Sequence, residues 1–418
     1  MALTAVSVGV LAQNGTKSPY SQYGIGVLSD PSQGLGRGMN GTGIGVRIGN
    51  EVNTLNPASY SGVDSLTMLF DAGLSGQVTN FKEGGHKQNA KSANFDYVVG
   101  SFRLLRNVGV SFGVLPVSSV GYSYNASSVL DQENGTMTET YSGEGGLRQV
   151  FIGAGAKLFG PLSAGFNAGY LWGSYTRTIT SSSNTYVNSL SKTYSASVKS
   201  YNLEAGLQWE QPLSKGDVLT VGATFGLGHK LGADPTLTIT NSSTGSVSDT
   251  ISNGLELPMS YGLGLSYNHA QKLVVAADVA LQKWGSLSWP DVNSGVADGG
   301  KLYTLKDGLL KDRLRLSAGV DWTPNPSSRH YLDHVHYRLG VGYSTPYYKI
   351  GSQDGPKEVS ATVGFGIPIM NSYNNRSVLN ISGQWVHTSA TGLITENTFR
   401  INIGLTFNER WFMKWKVE

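Results

Sequence analysis

In the stretch Thr398-Phe399-Arg400-Ile401-Asn402-Ile403-Gly404-Leu405-Thr406-Phe407, every second residue is large and apolar. Phe399, Ile401, Ile403, Leu405 and Phe407 fall on one face of an extended chain; Thr398, Arg400, Asn402, Gly404 and Thr406 fall on the other. Successive side chains of a strand point to opposite sides, so the alternation predicts a strand with one dry and one wet face. The same pattern recurs upstream: Leu379, Ile381 and Trp385; Val359, Ala361, Val363, Phe365 and Ile367; Leu314, Leu316, Ala318, Val320 and Trp322; Leu219, Val221, Ala223, Phe225 and Leu227.

Such segments number about fourteen between 66–79 and 396–407, each with the roughly 9–11 residues that a tilted strand needs to cross a bilayer. The connections alternate between short ones, such as Leu105–Asn107, Phe159–Pro161 and Pro212–Asp217, and long polar ones. The long ones lie at 80–92, 123–145, 179–196, 231–256, 285–311, 347–356 and 389–395. Short turns at one end and long loops at the other are the arrangement of a bacterial outer-membrane barrel. The fold expected is therefore all-β, a transmembrane antiparallel β-barrel of about 14 strands. An even count puts both chain ends on the short-turn, periplasmic side and the long loops outside the cell.

Composition agrees with this class and excludes others. Of 418 residues, 55 are Gly, 21 are Tyr and none is Cys. Mean hydropathy is −0.16, as expected where lipid-facing and lumen-facing residues alternate. No apolar run of about 18 residues is present, which excludes a helical membrane protein. A net charge of +3 is too small and dispersed for a nucleic-acid partner. Zero Cys removes disulfides and thiolate metal sites.

Residues 1–12, mostly small and apolar, read as a secretory signal segment ending at Val10 and Ala12 before Gln13. Residues 13–64 are Gly-rich and lack strand periodicity; residues 65–418 form the barrel with a short C-terminal tail. On the wet faces, Arg313, Arg315, Arg338, Arg400, Glu204 and Asp321 would line the lumen, with Asp278 and Lys157. Glycine-rich chain packs closely against a wall because it has no side chains to clear. The simplest place for 19–64 is inside the barrel as a plug, hydrogen-bonded to those charges. Trp172, Trp209, Trp284, Trp289, Trp322, Trp385, Trp411 and Trp415 lie near strand ends, where aromatic girdles meet the bilayer interfaces.

A Gly-rich segment ending in Asn56-Pro57-Ala58, followed directly by the first strand of such a barrel, resembles the FadL-type long-chain fatty acid transporter superfamily. Ser18-Pro19-Tyr20-Ser21-Gln22-Tyr23-Gly24-Ile25-Gly26 and Gly404-Leu405-Thr406-Phe407-Asn408-Glu409-Arg410-Trp411-Phe412 look like a divergent branch of it. The resemblance implies a hatch that fills the lumen and passive uptake of hydrophobic small molecules. Cargo would enter among the extracellular loops and leave sideways through the wall. The apolar pocket residues of the transporters have no counterpart that can be placed here. Other relatives of this shape serve instead as accessory barrels in large outer-membrane machines, such as the type IX secretion shuttle barrel or partners of the barrel-assembly machinery. The partners expected are outer-membrane lipid, a hydrophobic cargo, and other outer-membrane proteins.

Little in the sequence suggests chemistry. His334 and His336 stand at i and i+2 with Arg338 next on the same face. A metal site would need a third ligand, and Arg338 repels a cation. His86, His229, His269 and His387 lie near strand ends without a nucleophile or acid partner in view. The spacings Gly24-x-Gly26 and Gly34-x-Gly36-x-Gly38 lack the strand–loop–helix setting of a phosphate loop. Pro57 fixes the turn into the first strand, or serves as a hatch hinge. No enzyme activity, cofactor or metal is expected.

Overall fold

The computed structural model describes residues 16–129, 135–183, 189–293, 301–369 and 377–410. The signal segment and the Trp411–Trp415 tail lie outside them.

Fourteen antiparallel strands form one closed ring. They are β1 (Thr67–Glu83), β2 (His86–Leu105), β3 (Val108–Val129), β4 (Thr136–Phe159), β5 (Leu162–Ser183), β6 (Leu190–Ser214) and β7 (Asp217–Gly226). The ring continues with β8 (Ser260–His269), β9 (Leu273–Gln282), β10 (Arg313–Trp322), β11 (His336–Ser344), β12 (Lys357–Ile369), β13 (Ser377–Ser389) and β14 (Thr395–Arg410). Closure comes from β1 on β14, in register from Thr67↔Arg410 to Lys82↔Thr395. Ring closure pairs the first strand with the last and so removes the two sheet edges, which is what a bilayer demands of strands.

The dyad pattern sorts as the sequence predicts. On β14, Phe399 and Ile401 face outward at 62% and 57% exposure, while Asn402 and Thr406 are buried inside. Leu314 and Leu219 lie on the outward faces of β10 and β7 and are half-buried. Trp209, Trp322 and Trp385 are exposed on the outer wall. Trp284 and Trp289 depart from the girdle. Trp284 is buried in an aromatic cluster above the lumen, and Trp289 packs on that cluster from a loop hairpin. A Trp in sequence near a strand end does not reveal which way the chain turns after the strand.

The long connections also differ from expectation. Residues 80–92 are the continuation of β1 and β2, paired out to Glu83↔His86 around a two-residue turn, with Gly84 and Gly85 at φ 52° and 88°. Positive φ at both central residues suits the hairpin twist and selects Gly. Likewise β3 and β4 pair out to Val129↔Thr136, and β5 and β6 to Ser181↔Leu190. Beyond the bilayer both strand faces are wet, so alternation vanishes while main-chain pairing continues. Residues 231–256 contain a hairpin, Thr236–Asn241 with Gly245–Thr250; residues 285–311 contain another, Trp289–Val292 with Tyr303–Lys306.

One part of the wall is irregular. The β2–β3 ladder stops at Val98↔Val114, and β3 carries a register shift between Pro116 and Ser118. Just above it, a two-residue strand from the N-terminal segment takes over the pairing, Val27↔Ser119 and Leu28↔Ser118.

Candidate functional site

Residues 16–66 run inside the ring from the long-hairpin end to the short-turn end. At the upper end, Ser18 caps the 3-10 turn Pro19–Gln22 by accepting from the Tyr20 amide, and its hydroxyl donates to Glu396 at 2.6 Å. Tyr20 donates to the Ile394 carbonyl. The first described residues thus sit at the upper end, opposite to where β14 finishes. Strand parity, which gives the expectation that both chain ends lie at the short-turn end, says nothing of how an irregular segment threads the lumen.

At mid-height a short helix, α1 (Gly34–Gly38), lies against β12, β13 and β14. It has glycines where the wall comes close. A Cβ on Gly34 would strike Asn380, and one on Gly38 would strike Arg338. The wall reciprocates. Cβ atoms on Gly155, Gly222, Gly319 and Gly340 would collide with Pro57, Ile44 and Met39 of the segment. The glycines of the wet faces are therefore seats for plug backbone.

Charge fixes the register of this contact. Arg338, 1% exposed, donates through Nε to Asp321 at 3.1 Å and through Nη2 to Glu51 at 2.7 Å, and through Nη1 to Asn380. Arg37 of α1 reaches Asp96 at 2.6 Å and Asn402 at 3.1 Å. Asp278 accepts from the amides of Gly43 at 2.6 Å and Ile44 at 2.9 Å. Arg47 pairs with Glu210 at 3.0 Å. Arg315 lies 3.5 Å from Asp30 and donates to the Asn40 carbonyl at 3.1 Å. Burial alone would raise the Asp30 pKa, but Arg315 and Arg37 outweigh it and hold the carboxyl down to about 2.

Asn56-Pro57-Ala58 is the foot of the segment. The Asn56 side chain accepts from the Ala58 amide at 3.1 Å, capping the 3-10 turn Pro57–Gly62, and donates to the carbonyls of Ile44 and Leu207 at 3.0 Å each. Pro57 takes the first turn position, where its missing N–H costs nothing. Ala58 is fully buried. One motif therefore caps a turn, closes the segment on itself and ties it to β6.

The remaining sequence-derived residues fall as follows. Arg400 faces inward and donates to Gln77 at 2.9 Å. Glu204 accepts from Asn202 at 3.2 Å and Asn167 at 3.4 Å. Arg313 lines a polar chamber of about 170 Å³ with Arg400, Glu358, Glu396 and Gln384. Lys157 is exposed at the short-turn end of β4. His336 opens β11 and contacts Asp321 at 3.0 Å, whereas His334 ends a 3-10 turn and contacts the Ser328 carbonyl at 2.8 Å. The two histidines do not share a strand face. Sequence reasoning missed Arg37, Arg47, Glu51 and Asp96. The first three stand in aperiodic sequence, which gives no face to assign.

The upper half of the lumen also holds an aromatic cluster. Tyr347 packs against Trp284 at 4.8 Å between ring centroids and edge-on against Tyr348 at 5.0 Å; Tyr23 stacks on Tyr348 at 5.1 Å. Tyr347 donates to the Gly26 carbonyl. Beside this cluster is a cavity of about 260 Å³ lined by Ile25, Leu171, Leu227, Leu257 and Trp284, with Glu204 and Asn202.

Solved structures share this architecture. A Pseudomonas aeruginosa FadL homologue superposes with a TM-score of 0.63 at 11% identity, over 91% of this chain and 99% of that one. The Ralstonia pickettii toluene transporter TbuX gives 0.60 at 15% identity, over 92% and 99%. The P. putida toluene transporter TodX gives 0.60 at 15%, over 92% and 100%. At these identities the likeness shows the fold, that of FadL-type outer-membrane barrels. No curated protein matches. A family model described as BamG matches residues 1–418.

Proposed function

The chain belongs to the BamG family, and from that premise we propose that it is a plugged, non-conducting barrel serving as an accessory subunit of a multi-protein outer-membrane assembly. Residues 13–64 act as the plug, the long hairpins face the cell exterior, and β14 ends in the periplasm. One observation carries this reading: the lumen is crossed by buried ion pairs between plug and wall, Arg338 with Glu51 and Arg37 with Asp96. Breaking a buried pair by removing one partner costs about 3–5 kcal/mol, and a passive channel has no energy source to break several at once. The wall residues that face the plug are thus spent on holding it. Purification from native membranes followed by mass spectrometry tests the proposal. Stoichiometric co-purification with large outer-membrane proteins, such as those of the barrel-assembly machinery, is expected; a lone barrel would contradict it.

A second reading, uptake of hydrophobic small molecules, is favoured by one feature. Above Val98↔Val114, β3 pairs with Val27–Leu28 and not with β2. Displacing these two residues would open a side exit next to the 260 Å³ cavity. A cysteine pair tying Leu28 to Ser118 would then abolish uptake of a small hydrocarbon by whole cells and restore it on reduction; unchanged uptake would remove this reading.

A further inference from the structure

Above the bilayer, β3 to β6 continue as an upright sheet, and the sheet is lengthened sideways by two strands that are not part of the ring. Thr236–Asn241 pairs with Leu190–Ser195 of β6, from Thr236↔Ser195 to Asn241↔Leu190. Gly245–Thr250 pairs in turn with Thr236–Asn241, from Thr236↔Thr250 to Asn241↔Gly245. The height follows from strand geometry. Trp209 stands at the lower girdle, and Lys199 is ten residues up β6; at about 3.3 Å per residue and a tilt of about 40°, that spans the apolar band of about 25 Å. The sideways extension therefore begins beyond the headgroups.

Gly245–Thr250 is an edge. Among the described residues it pairs on one side only, and its other row of backbone groups has no strand partner. Natural proteins protect such edges with Lys, Pro, bulges or brevity. Two short hairpins at this end that stand outside the ring follow that rule. Trp289–Val292 with Tyr303–Lys306 carries Pro290 and the Lys306–Asp291 pair, and Lys349–Ile350 with Gln353–Asp354 is two residues long. Gly245-Ser246-Val247-Ser248-Asp249-Thr250 has six residues in unbroken register, no Lys, no Pro and no bulge. Val247 is 58% exposed. The hydroxyl pairs Thr236–Thr250, Thr238–Ser248 and Thr240–Ser246, at 2.9 Å each, hold the edge flat and preformed.

We propose that this edge receives an extended strand from a partner protein at the cell surface, the inference resting on the accessory-subunit reading above. A row of main-chain donors and acceptors with no strand partner among the described residues is complementary to another strand and to little else. A second copy of the chain fits poorly. Two copies in one membrane point the same way, so a two-fold axis along the normal would run their edge strands parallel. Identical groups would then meet at identical heights, donor against donor, which neither ladder type allows.

The test places a photo-crosslinking amino acid at Ser246, Val247, Ser248 or Thr250 in turn, in the full chain in native outer membranes, and maps the products by mass spectrometry. Crosslinks to one segment of one partner are expected, with steps of two on this edge matched by steps of two on the partner. Ser248 alternates with the residues that bond Thr236–Asn241, so its N–H faces outward; the variant Ser248→Pro should retain at least tenfold less partner while keeping the heat-modifiable migration of a folded barrel. Crosslinks confined to this chain, to a second copy or to lipid would overturn the strand proposal, as would a Ser248→Pro protein that keeps its partner. If the unaltered chain purifies alone, the accessory reading itself fails. If partners stay bound but no ladder appears, only the strand proposal does.

Discussion

The lower and upper halves of the lumen hold the same segment by different chemistry. At α1 and below it, plug and wall meet through buried ion pairs and through glycines on both surfaces, with backbone nearly touching backbone. Above it, contact is aromatic and apolar around Tyr347, Trp284 and Tyr348, and both cavities lie there. Close glycine contacts and paired charges specify one position and tolerate no slippage. Aromatic packing beside open space tolerates rearrangement. The foot of the plug is therefore the clamp, and its head is the part able to adjust to a loop-side partner or ligand.

The contrast can be broken most forcefully at Arg338. Arg338→Ala leaves Glu51 a buried carboxylate without its ion-pair partner and Asp321 with His336 alone, and a loss of about 3–5 kcal/mol is expected. Trypsin should then cut at Arg37 and Arg47 in the folded barrel, sites that the unaltered protein shields; continued resistance would show that the ion pairs are not the clamp. A smaller effect is expected from packing. Gly340→Val drives a side chain into the Met39–Asn40 backbone, an overpacking worth about 1–3 kcal/mol. Gly383→Val, with nothing within 4 Å, should leave the thermal midpoint unchanged. In the upper half, Tyr347→Phe removes the hydrogen bonds to the Gly26 and Tyr23 carbonyls but keeps the ring. About 1 kcal/mol is expected, with no exposure of Arg37 to trypsin. A loss as large as that of Arg338→Ala would erase the distinction between the halves.

The gentlest probe is pH. Asp30 sits where the halves meet, its pKa depressed to about 2 from the ordinary 3.8 by Arg315 and Arg37 against the opposing effect of burial. A depressed carboxyl stabilises the folded state above its unfolded pKa, and that contribution fades as pH falls through the folded value. The stabilisation from Asp30 should thus be present in full and unchanged between pH 7 and pH 5. The Asp30→Asn variant should converge with the parent only between about pH 4 and pH 2; convergence at pH 6 would mean that the Arg315 contact is not formed.

The wall was legible in the sequence because each crossing strand has one dry face. That is why Phe399, Ile401, Arg400 and Arg338 could be assigned a side from spacing alone. Legibility ended where dryness ended. The outer parts of β1 to β6 read as loops since both faces are wet, although their backbones stay paired within each hairpin. Glycines on the wet faces carried the plug's footprint, and Asn56-Pro57-Ala58 marked its foot. The partners of Arg338 were only half visible. Asp321 lies on the neighbouring strand at Asp321↔Arg338, but Glu51 comes from irregular chain whose path depends on tertiary packing. The threading of residues 16–30 toward the long hairpins was hidden for the same reason.

Planar-bilayer recording tests the sealed lumen most directly. The intact protein should insert without steady conductance steps, and a variant lacking residues 19–64 should give ohmic steps of a wide, water-filled pore. Steps of that size from the intact protein would contradict a lumen closed by its own N-terminal segment.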